Sequence, residues 1–267
     1  MLITGCSSGI GRATASLFAG EGWTVYATAR QESDLDDLDC RTDALDVTSG
    51  GDVDRVVDRI LDETGRLDCL VNNAGYGQYG PLEDVPTDRL HRQFDVNVYG
   101  PHRLTRAVLP HMRDRGEGTV VNISSVAGRV ATPGGGAYSA SKFALEAMSD
   151  ALRGEVDRLG VDVVLVEPGP VETDFRDRVE TELERGTERR PAYEWVYDLV
   201  ENASLVAGGA PVAVEPGDVA AVVHDAACVT DPSPRYPVGR VPRYLLYSRF
   251  LPAGARDAVY RLVRRLA

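Results

Sequence analysis

Short apolar runs alternate with amphipathic stretches along most of the chain. Runs such as Met1-Leu-Ile-Thr4 and Val161-Asp-Val-Val-Leu-Val166 are almost continuously apolar, which is typical of strands buried on both faces of a sheet. Between such runs, apolar residues recur every three to four positions, as they do across 50–64, and this spacing predicts helices. The pattern predicts an α/β fold: a single doubly wound, Rossmann-like domain with about seven parallel strands and helices on both faces.

The same pattern gives approximate bounds for the elements. Strands are predicted at 1–4, 23–28, 43–47, 68–72, 119–123, 161–166 and 235–239. Helices are predicted after Gly11, at 50–64, about 87–114, 137–159 and through 219–227. Pro101 predicts a kink or break within the long helix, because proline removes a backbone donor. We assign 1–234 to the domain and 235–267 to a strand and helical extension that packs on it.

Composition and charge narrow the class of protein. At 267 residues and 43% hydrophobic content, the chain can bury one large core. A net charge of −12 and a pI near 4.8 argue against a nucleic-acid partner, which requires clustered basic residues. The four scattered cysteines lack metal-ligand spacing, so no metal site is predicted and reduced thiols are expected. With neither a long apolar span nor a secretory signal in the sequence, we expect a cytoplasmic protein.

The acidic surface has two interpretations. One is a halophilic-like composition, in which high salt screens the self-repulsion of acidic side chains. Unfolding of the protein in low salt would support that hypothesis, and stability that is indifferent to salt would contradict it. The other interpretation is a genome that favours arginine codons, since Lys142 is the single lysine among 29 Lys plus Arg.

Tyr138 and Lys142 are the strongest candidates for chemistry. One helical turn separates them on the predicted helix 137–159, so their side chains share a face. A phenol titrates near pH ~10, and a nearby ammonium in a partly dry site is expected to lower the phenol pKa by about two units or more. Ser125, at the end of a predicted strand, would hold a substrate oxygen beside the phenol. Together the three side chains predict acid and base catalysis at a carbonyl or alcohol oxygen.

A glycine-rich turn follows the first predicted strand. Gly5, Gly9 and Gly11 precede a helix, and such turns let the backbone approach a pyrophosphate at the helix N-terminus. The second strand ends at Arg30, where an acidic residue would favour NAD, so a guanidinium suited to a 2′-phosphate predicts NADP(H). The alternative is that Arg30 is an ordinary surface residue and that NAD(H) is bound. Asp46, within the third predicted strand, could contact the adenine.

These motifs, in this order, resemble the short-chain dehydrogenase/reductase family in its compact single-domain branch. The resemblance covers roughly residues 1–228 and rests on the following positions: the glycine turn at 4–11, Asn72-Asn-Ala-Gly75, Asn97, Ser125, Tyr138-x-x-x-Lys142 and Pro168-Gly169. Further phrases resemble the 17β-hydroxysteroid-dehydrogenase-like and retinol-dehydrogenase-like subgroup, which favours NADP(H): Val25-Tyr-Ala-Thr-Ala-Arg30, Val71-Asn-Asn-Ala-Gly-Tyr-Gly77 and Val166-Glu-Pro-Gly-Pro170.

The resemblance implies a role for each matching residue. Tyr138 would exchange the proton, Ser125 would bind the substrate oxygen, Lys142 would bind the nicotinamide ribose and lower the phenol pKa, and Asn97 would hold a relay water. The cofactor-binding residues would be Gly5, Ser7, Ser8, Gly9, Ile10, Gly11, Arg30, Asp46, Val47, Asn73, Ala74, Gly75, Tyr138, Lys142, Pro168, Gly169, Val171 and Thr173. It also implies a helical lid at about 175–204 over a small apolar substrate, and a homodimer or homotetramer paired through 87–114 and 137–159. A plain surface helix is the alternative to the lid.

The C-terminal extension is basic although the chain is acidic. From Arg235 to Ala267 there are eight arginines and one acidic residue, Asp257. Apolar residues accompany them, among them Tyr244, Leu245 and Leu246, so peripheral contact with an anionic membrane is one reading. We favour the other, in which the helix packs at the pocket rim or at a subunit interface. Equal partitioning of full-length protein and of a chain ending near Pro234 into liposomes would reject the membrane reading.

We expect an NADP(H)-dependent oxidoreductase that interconverts a ketone or aldehyde and its alcohol, on an apolar substrate. A serine acyl enzyme is excluded: Ser139-Ala-Ser-Lys142 spells S-x-x-K, but the sequence has no second lysine for a K-T-G motif. A non-catalytic NADP(H)-binding regulatory protein is the main alternative, and the presence of Ser125, Tyr138, Lys142 and Asn97 disfavours it. Epimerisation or dehydration on the same fold is a third reading.

Overall fold

The computed structural model describes residues 1–173, 175, 179, 181, 183, 189–207, 213–239 and 250–266. Of 202–207, 259–260 and 262–266 it describes the backbone alone. Seven parallel strands form one sheet, as the sequence predicts, and their order is β3-β2-β1-β4-β5-β6-β7. The strands are β1 (Leu2–Thr4), β2 (Tyr26–Ala29), β3 (Arg41–Ala44), β4 (Cys69–Asn72), β5 (Gly118–Ile123), β6 (Val161–Pro168) and β7 (Arg235–Val238).

Helices cover both faces of this sheet. They are α1 (Gly9–Gly20), α2 (Gly50–Thr64), α3 (Thr87–Phe94), α4 (Gly100–Arg115), α5 (Gly136–Val156), α6 (Glu194–Ala207), α7 (Pro216–Cys228) and α8 (Ala253–Leu266). Short 3₁₀ turns lie at Glu32–Leu35, Val126–Gly128 and Pro191–Tyr193. None of the helices in the described ranges is long and apolar enough to cross a bilayer.

Alternate residues of the central strands serve two separate cores. Leu2 and Leu70 face a core that α2 and α4 complete, whereas Ile3 and Val71 face a core that α1 and α7 complete. This follows from the two-residue period of a strand, which sends successive side chains to opposite faces of the sheet. All four side chains are fully buried, and burial of each contributes about 2 kcal/mol. A sheet covered in this way leaves its carboxyl edge as the natural place for a site.

The long helix predicted at 87–114 is divided in the structure. A π-helical turn, Asp95–Tyr99, separates α3 from α4, and Pro101 stands in the first turn of α4, where a missing N–H costs little. The interruption therefore lies at Asn97, before the proline that the sequence analysis held responsible. Single π-turns of this kind are frequent at functional sites.

The third strand also differs from its prediction. It covers Arg41–Ala44 instead of 43–47, and in register Arg41 pairs with Tyr26 and Ala44 with Ala29. Asp46 and Val47 consequently lie beyond the strand, in the loop at the carboxyl edge of the sheet. The apolar alternation of this short strand was too weak to fix its register from sequence.

The structure describes the basic C-terminal extension only in part, at 235–239 and 250–266. The predicted residues Tyr244, Leu245 and Leu246 lie outside the described residues. The side chains described for 250–258 are exposed, with Phe250 81% exposed. Whether this segment meets a membrane, a subunit or the pocket rim stays a prediction.

Candidate active site

A cavity of about 1380 Å³ opens at the carboxyl edge of the sheet. Residues that follow successive strands line it: Gly5 after β1, Arg30 after β2, Asn73 after β4 and Ser125 after β5. The order in which strands are added to the sheet changes direction between β1 and β4, because β2 and β3 lie on one side of β1 and the later strands on the other. Loops diverge at such a switch point, and the crevice between them is where ligands bind in open α/β sheets.

The glycine turn forms one wall of the cavity through close backbone contacts. Gly5 and Gly9 have left-handed φ angles of 71° and 58°, which favour glycine. A Cβ at Gly11 would lie 2.4 Å from Asn73 Nδ2 and from Gly5 O, so no side chain fits there. Asn73 Nδ2 donates to Thr4 O at 2.8 Å and to Gly5 O at 3.0 Å, which ties the turn to the end of β4.

Tyr138, Lys142 and Ser125 meet on one side of the cavity. Helix α5 begins at Gly136, so Tyr138 and Lys142 lie in its first two turns, facing the end of β5. Lys142 Nζ donates to Ile123 O at 2.8 Å, and it lies 5.9 Å from the centre of the Tyr138 ring. The Ser125 hydroxyl, two residues after Ile123, shares a hydrogen bond with the Tyr138 phenol.

Burial dominates the electrostatics of this trio. It raises the pKa of Tyr138 to about 12, against the lowering effect of the hydrogen bond with Ser125. It lowers the pKa of Lys142 to about 8, and the charge of Glu146 opposes that fall. The net shift of the phenol pKa is therefore opposite to the expected one, because a dry pocket penalises the phenolate more than the surrounding groups stabilise it. At neutral pH the phenol is a proton donor.

Asn97 lies behind the cavity wall, in the π-helical turn. Its Nδ2 donates to Tyr76 O at 2.9 Å and to Ser141 Oγ at 3.1 Å, and its Oδ1 accepts from Tyr76 N at 3.1 Å. A Cβ at Gly75 would lie 3.2 Å from Asn97 Oδ1 and 3.7 Å from Lys142 Nζ. Asn97 thus fixes the loop after β4 against α5, and its amide lies close to the ammonium.

Most of the sequence-predicted cofactor residues line this one cavity. They are Gly5, Ser7, Ser8, Gly9, Ile10, Arg30, Asp46, Val47, Asn73, Ala74, Gly75, Tyr138, Lys142, Pro168, Gly169, Val171 and Thr173. Gly11 is not a lining residue, because it is buried beneath Asn73. The Asp46 carboxylate accepts from Thr48 N at 2.9 Å and from Thr48 Oγ1 at 2.7 Å, so it shapes its own loop.

Arg30 stands at the rim of the cavity. It is exposed, directly after β2, and within the described ranges it forms no ion pair. Other arginines of this region are engaged: Arg12 forms an ion pair with Asp37, and Arg41 lies 2.7 Å from Glu63. Arg30 is therefore a cation available to an anionic group at the cavity mouth.

One wall of the cavity is formed by aromatic side chains that the sequence did not predict as site residues. The ring of Tyr79 is stacked on that of Tyr138, with centres 5.5 Å apart and planes at 28°, and Phe175 approaches Tyr138 at 5.6 Å. A Cβ at Gly77 would lie 2.6 Å from the Tyr79 ring and 2.7 Å from that of Phe175. The one signal in the sequence was the spacing of Gly77 and Gly80 around Tyr79. Such a wall favours apolar substrate surface next to the phenol.

Of the predicted lid at about 175–204, the structure describes 175, 179, 181, 183 and 189–204, and the rest lies outside the described residues. A buried carboxylate attaches the stretch 189–204 to the cavity. Asp84 has a fully buried side chain, accepts from Tyr197 Oη at 2.7 Å and forms an ion pair with Arg190. Burial alone would raise the pKa of Asp84, but the hydrogen bonds from Tyr197 and Arg190 hold it below its usual value. Val196 and Val200 of α6 pack over Gly134, in the loop that precedes α5. We call Asp84, Arg190 and Tyr197 the lid latch.

Comparison with known proteins identifies the group to which this architecture corresponds. Residues 1–184 match a family model described as short chain dehydrogenase. An uncharacterized oxidoreductase of Escherichia coli K12, YbbO, is 38% identical over 265 residues, or 97% of this chain and 93% of that protein. An NADPH-dependent 3-dehydrocapnine reductase of Ornithobacterium rhinotracheale is 39% identical over 186 residues, or 65% and 66% of the two chains.

Solved structures agree. A short-chain dehydrogenase from Streptomyces avermitilis superimposes with a TM-score of 0.83 at 37% identity, over 99% of this chain and 96% of that one. At 26% identity, a serine dehydrogenase complexed with NADP⁺ gives a TM-score of 0.78 over 90% of this chain and 94% of that one. A Burkholderia phymatum short-chain dehydrogenase in complex with NAD gives 0.76, over 89% and 86%.

Proposed function

Because the chain belongs to the short-chain dehydrogenase family of oxidoreductases, we propose that it interconverts a ketone or aldehyde and the corresponding alcohol with NADP(H). The observation that carries the proposal is the meeting of Ser125, Tyr138 and Lys142 at a cavity large enough for a dinucleotide and a substrate. When bound, the nicotinamide supplies or accepts the hydride. The residues of the chain position the reactants and move the proton.

Each side chain has a distinct task in reduction. The Tyr138 phenol, protonated at neutral pH, gives its proton to the substrate oxygen as negative charge develops there. Ser125 donates a hydrogen bond to the same oxygen and holds it against the phenol. The Lys142 ammonium, anchored on Ile123 O, stabilises the phenolate left behind and offers its remaining donors to a ribose. Asn97 keeps the Gly75 loop and α5 in register, and a relay water at its amide is part of the proposal.

The cavity fits the proposed cofactor. The left-handed Gly9 leaves no space for a Cβ, which would lie 2.9 Å from Thr173 Cγ2, so the backbone of the glycine turn packs directly against Thr173 in the cavity wall. Gly5, Ser7, Ser8 and Ile10 would hold the pyrophosphate, and Thr173 would contact the nicotinamide amide. Arg30, exposed and unengaged by described carboxylates, would bind a 2′-phosphate.

The aromatic wall supports an apolar substrate. Tyr79 and Phe175 cover the phenol, and Val179, Leu199 and Val200 line the lid side of the cavity. The 3-dehydrocapnine reductase is named for reduction with NADPH, which favours the ketone-reducing direction here. We also propose the 17β-hydroxysteroid-dehydrogenase-like or retinol-dehydrogenase-like subgroup, and a panel of steroid, retinoid and long-chain ketones would test that assignment.

The cofactor assignment is tested by binding. NADPH and NADH are titrated into the protein in high salt while fluorescence from Trp23 and Trp195 is followed, for wild type, Arg30→Ala and Arg158→Ala. Arg158 is also exposed but lies after α5, at the opposite edge of the sheet, so it is a charge-matched control. We expect tighter binding of NADPH, with the preference reduced about 10- to 100-fold in R30A alone, since a hydrogen bond to a charged group contributes roughly 1.5–3 kcal/mol. Preference for NADH in wild type would contradict the assignment.

A turnover measurement distinguishes the proposed enzyme from the alternative, a non-catalytic NADP(H)-binding regulatory protein. With NADPH and a panel of apolar ketones and aldehydes, Tyr138→Phe should lower kcat by about 10²- to 10⁴-fold, since this is the usual contribution of a positioned acid. NADPH binding by this variant should stay within a fewfold of wild type. Tight NADPH binding with no turnover of any carbonyl in the panel would favour the non-catalytic reading.

A further inference from the structure

A cluster of two buried acids and two arginines lies behind the catalytic helix. Glu146 of α5 and Glu167 of β6 are 4% and 1% exposed. Arg129 and Arg235, the latter on β7, each contact both acids. The N···O distances are 3.1 Å for Arg129–Glu167, 3.7 Å for Arg129–Glu146, 3.0 Å for Arg235–Glu146 and 3.2 Å for Arg235–Glu167. The cluster therefore joins α5, β6 and β7 to the segment that carries Arg129.

Arg129 directly follows the 3₁₀ turn that Ser125 begins. The Ser125 hydroxyl oxygen accepts from Ala127 N at 3.1 Å, and the Ser125 carbonyl accepts from Gly128 N at 2.8 Å. A serine hydroxyl has one proton to donate and two lone pairs. Because the Ala127 N–H occupies a lone pair, the proton of Ser125 stays available to an oxygen in the cavity that this residue lines. The turn thus sets the direction of the Ser125 donor.

The far end of this turn is held between α5 and β6. A Cβ at Gly128 would lie 3.0 Å from Glu146 Cγ and 3.2 Å from Lys142 O, so the turn packs closely against α5. One residue later, the Arg129 side chain, 18% exposed, pairs with Glu167 at the carboxyl end of β6. A tight backbone contact and a buried ion pair therefore fix the turn from two sides.

We propose that Arg129 is a positioning residue for the reaction: its ion pair with Glu167 fixes the 3₁₀ turn so that the Ser125 hydroxyl points at the reacting oxygen. Arg129 follows the cavity-lining residues 123–127 and does not line the cavity itself, so it acts through Ser125. The effect on catalysis rests on the proposed function, whereas the effect on the turn does not.

The ion pair can be removed while the other pair of the cluster is kept. Arg129→Met alone would take one partner from a buried acid, and breaking a buried pair on one side is strongly destabilising. The test variant therefore combines Arg129→Met with Glu167→Gln, which leaves Arg235 paired with Glu146. Arg129→Lys weakens the ion pair without abolishing it, because an ammonium keeps the charge but lacks the fork of donors.

Arg153→Met is the matched control. Arg153 belongs to α5, and its Nε donates to Val163 O at 2.8 Å, so this arginine also joins α5 to β6. Its side chain is 27% exposed and pairs with Asp150 at 2.8 Å. Val163 lies in the first half of β6, away from the carboxyl edge of the sheet, so loss of Arg153 should not move the Ser125 turn.

Hydrogen exchange of the turn is measured first and needs no substrate. In R129M/E167Q the Ala127 and Gly128 amides should exchange about 10-fold faster than in wild type, because their hydrogen bonds lie in a turn that has lost its ion pair. In R153M the rates should stay within about twofold of wild type. Equal exchange in wild type and R129M/E167Q, or equal acceleration in R153M, would overturn the proposal.

Kinetics with NADPH and an apolar ketone then test the link to Ser125. We expect kcat to fall about 10- to 100-fold in R129M/E167Q, because a misplaced donor stabilises the developing oxyanion poorly, while the Kd for NADPH stays within about twofold. In a Ser125→Ala background the same change should lower kcat by less than about twofold, because the group that Arg129 positions is absent. Equal losses with and without Ser125 would indicate a general structural role and contradict the proposal.

Arg129→Lys decides the case if R129M/E167Q does not fold. It should give intermediate exchange rates and an intermediate kcat, and its effect on kcat should again disappear in the S125A background. Wild-type exchange and wild-type kcat in R129K would then overturn the proposal. Faster exchange of the turn in a protein that reduces no carbonyl would refute the proposed function and leave the role of Arg129 in the turn intact.

Discussion

At the scale of single residues, Lys142 is an ionisable side chain in a buried position, where desolvation disfavours its charged form. It is 6% exposed, and burial lowers its pKa from 10.5 to about 8. An unfolded chain therefore binds a proton on Lys142 more readily than the folded protein does between these two pH values. By linkage, this residue destabilises the fold at pH 7, and the penalty disappears as the pH rises through 10.5.

We accordingly expect Lys142→Met to stabilise the protein while abolishing its activity. At pH 7 the free energy of unfolding in urea should increase by about 1–3 kcal/mol, less than the full linkage value because the bond to Ile123 O is lost. The gain should vanish near pH 10.5. Tyr138→Phe is the control, also inactive but within about 1 kcal/mol of wild type. A K142M protein less stable than wild type at pH 7 would contradict the prediction.

The sequence predicted the residues that belong to local motifs. It did not predict residues whose surroundings depend on contacts between distant parts of the chain. Ser125, Tyr138 and Lys142 were found because their spacing has few other uses. Glu146 gave no signal, since a glutamate four residues after a lysine on a helix normally forms a solvent-exposed pair. Its burial depends on Arg129 and Arg235, which are distant in sequence and reach it only through the fold.

At the scale of elements, the lid helix α6 is held by the lid latch. Tyr197 is fully buried and its hydroxyl bonds Asp84, while the neighbouring Glu83 bonds Tyr193 at 2.5 Å. Because the pKa of Asp84 is lowered, its carboxylate stabilises the fold above the ordinary carboxyl pKa of 3.8, and this contribution is lost as the pH falls through the lower folded-state pKa. The latch thus joins the loop after β4 to the segment over the cavity.

Removal of the latch should loosen the lid without affecting the cofactor. Asp84→Ala removes the buried carboxylate that accepts from Tyr197 Oη and pairs with Arg190, so we expect a loss of about 2–3 kcal/mol in unfolding free energy. The KM for an apolar carbonyl substrate should rise, with the Kd for NADPH within about twofold of wild type. Glu83→Ala, which removes the neighbouring and more exposed carboxylate from the same loop after β4, should cost under about 1 kcal/mol. Comparable losses in both variants would show that Asp84 has no special role.

Whether a segment forms a strand or a helix was predictable from the sequence, whereas the position of the break in the long helix was not. The strands and helices follow from apolar periodicity, which a buried parallel sheet enforces. The π-helical turn at Asp95–Tyr99 depends on Asn97 bonding Tyr76 and Ser141, contacts that no local pattern records. Proline at 101 gave a plausible but wrong explanation, because at the first turn of α4 it is accommodated without a break.

At the scale of the whole molecule, large apolar side chains are exposed on the helices through which a homodimer or homotetramer is expected to assemble. Tyr99, Phe143 and Met148 are 41%, 37% and 39% exposed, the first before α4 and the others on α5. Scattered exposed residues are normal on a monomer. Because Phe143 and Met148 lie on α5, the helix that also carries Tyr138 and Lys142, a subunit interface there would stiffen the site.

Substitutions that introduce negative charges at this surface should therefore convert the expected oligomer into a monomer. For Phe143→Glu combined with Met148→Glu, light scattering after size exclusion should show the mass of one chain, 28.8 kDa, where wild type shows a multiple of it. Val229→Glu changes an equally exposed apolar residue at the end of α7, 50% exposed, and should leave the mass unchanged. A monomeric wild type, or a double variant with an unchanged mass, would refute this interface.

The strand order has a consequence for synthesis on the ribosome. Arg235, which neutralises Glu146 and Glu167, belongs to the last strand of the sheet and is translated about 90 residues after Glu146, whereas Tyr138 and Lys142 leave the exit tunnel far earlier. Until β7 docks beside β6, the acids behind the catalytic helix lack one of their two guanidinium partners. We infer that the nascent chain completes its reactive centre last, so a ribosome stalled before Arg235 would carry a nearly folded sheet with an unfinished active site.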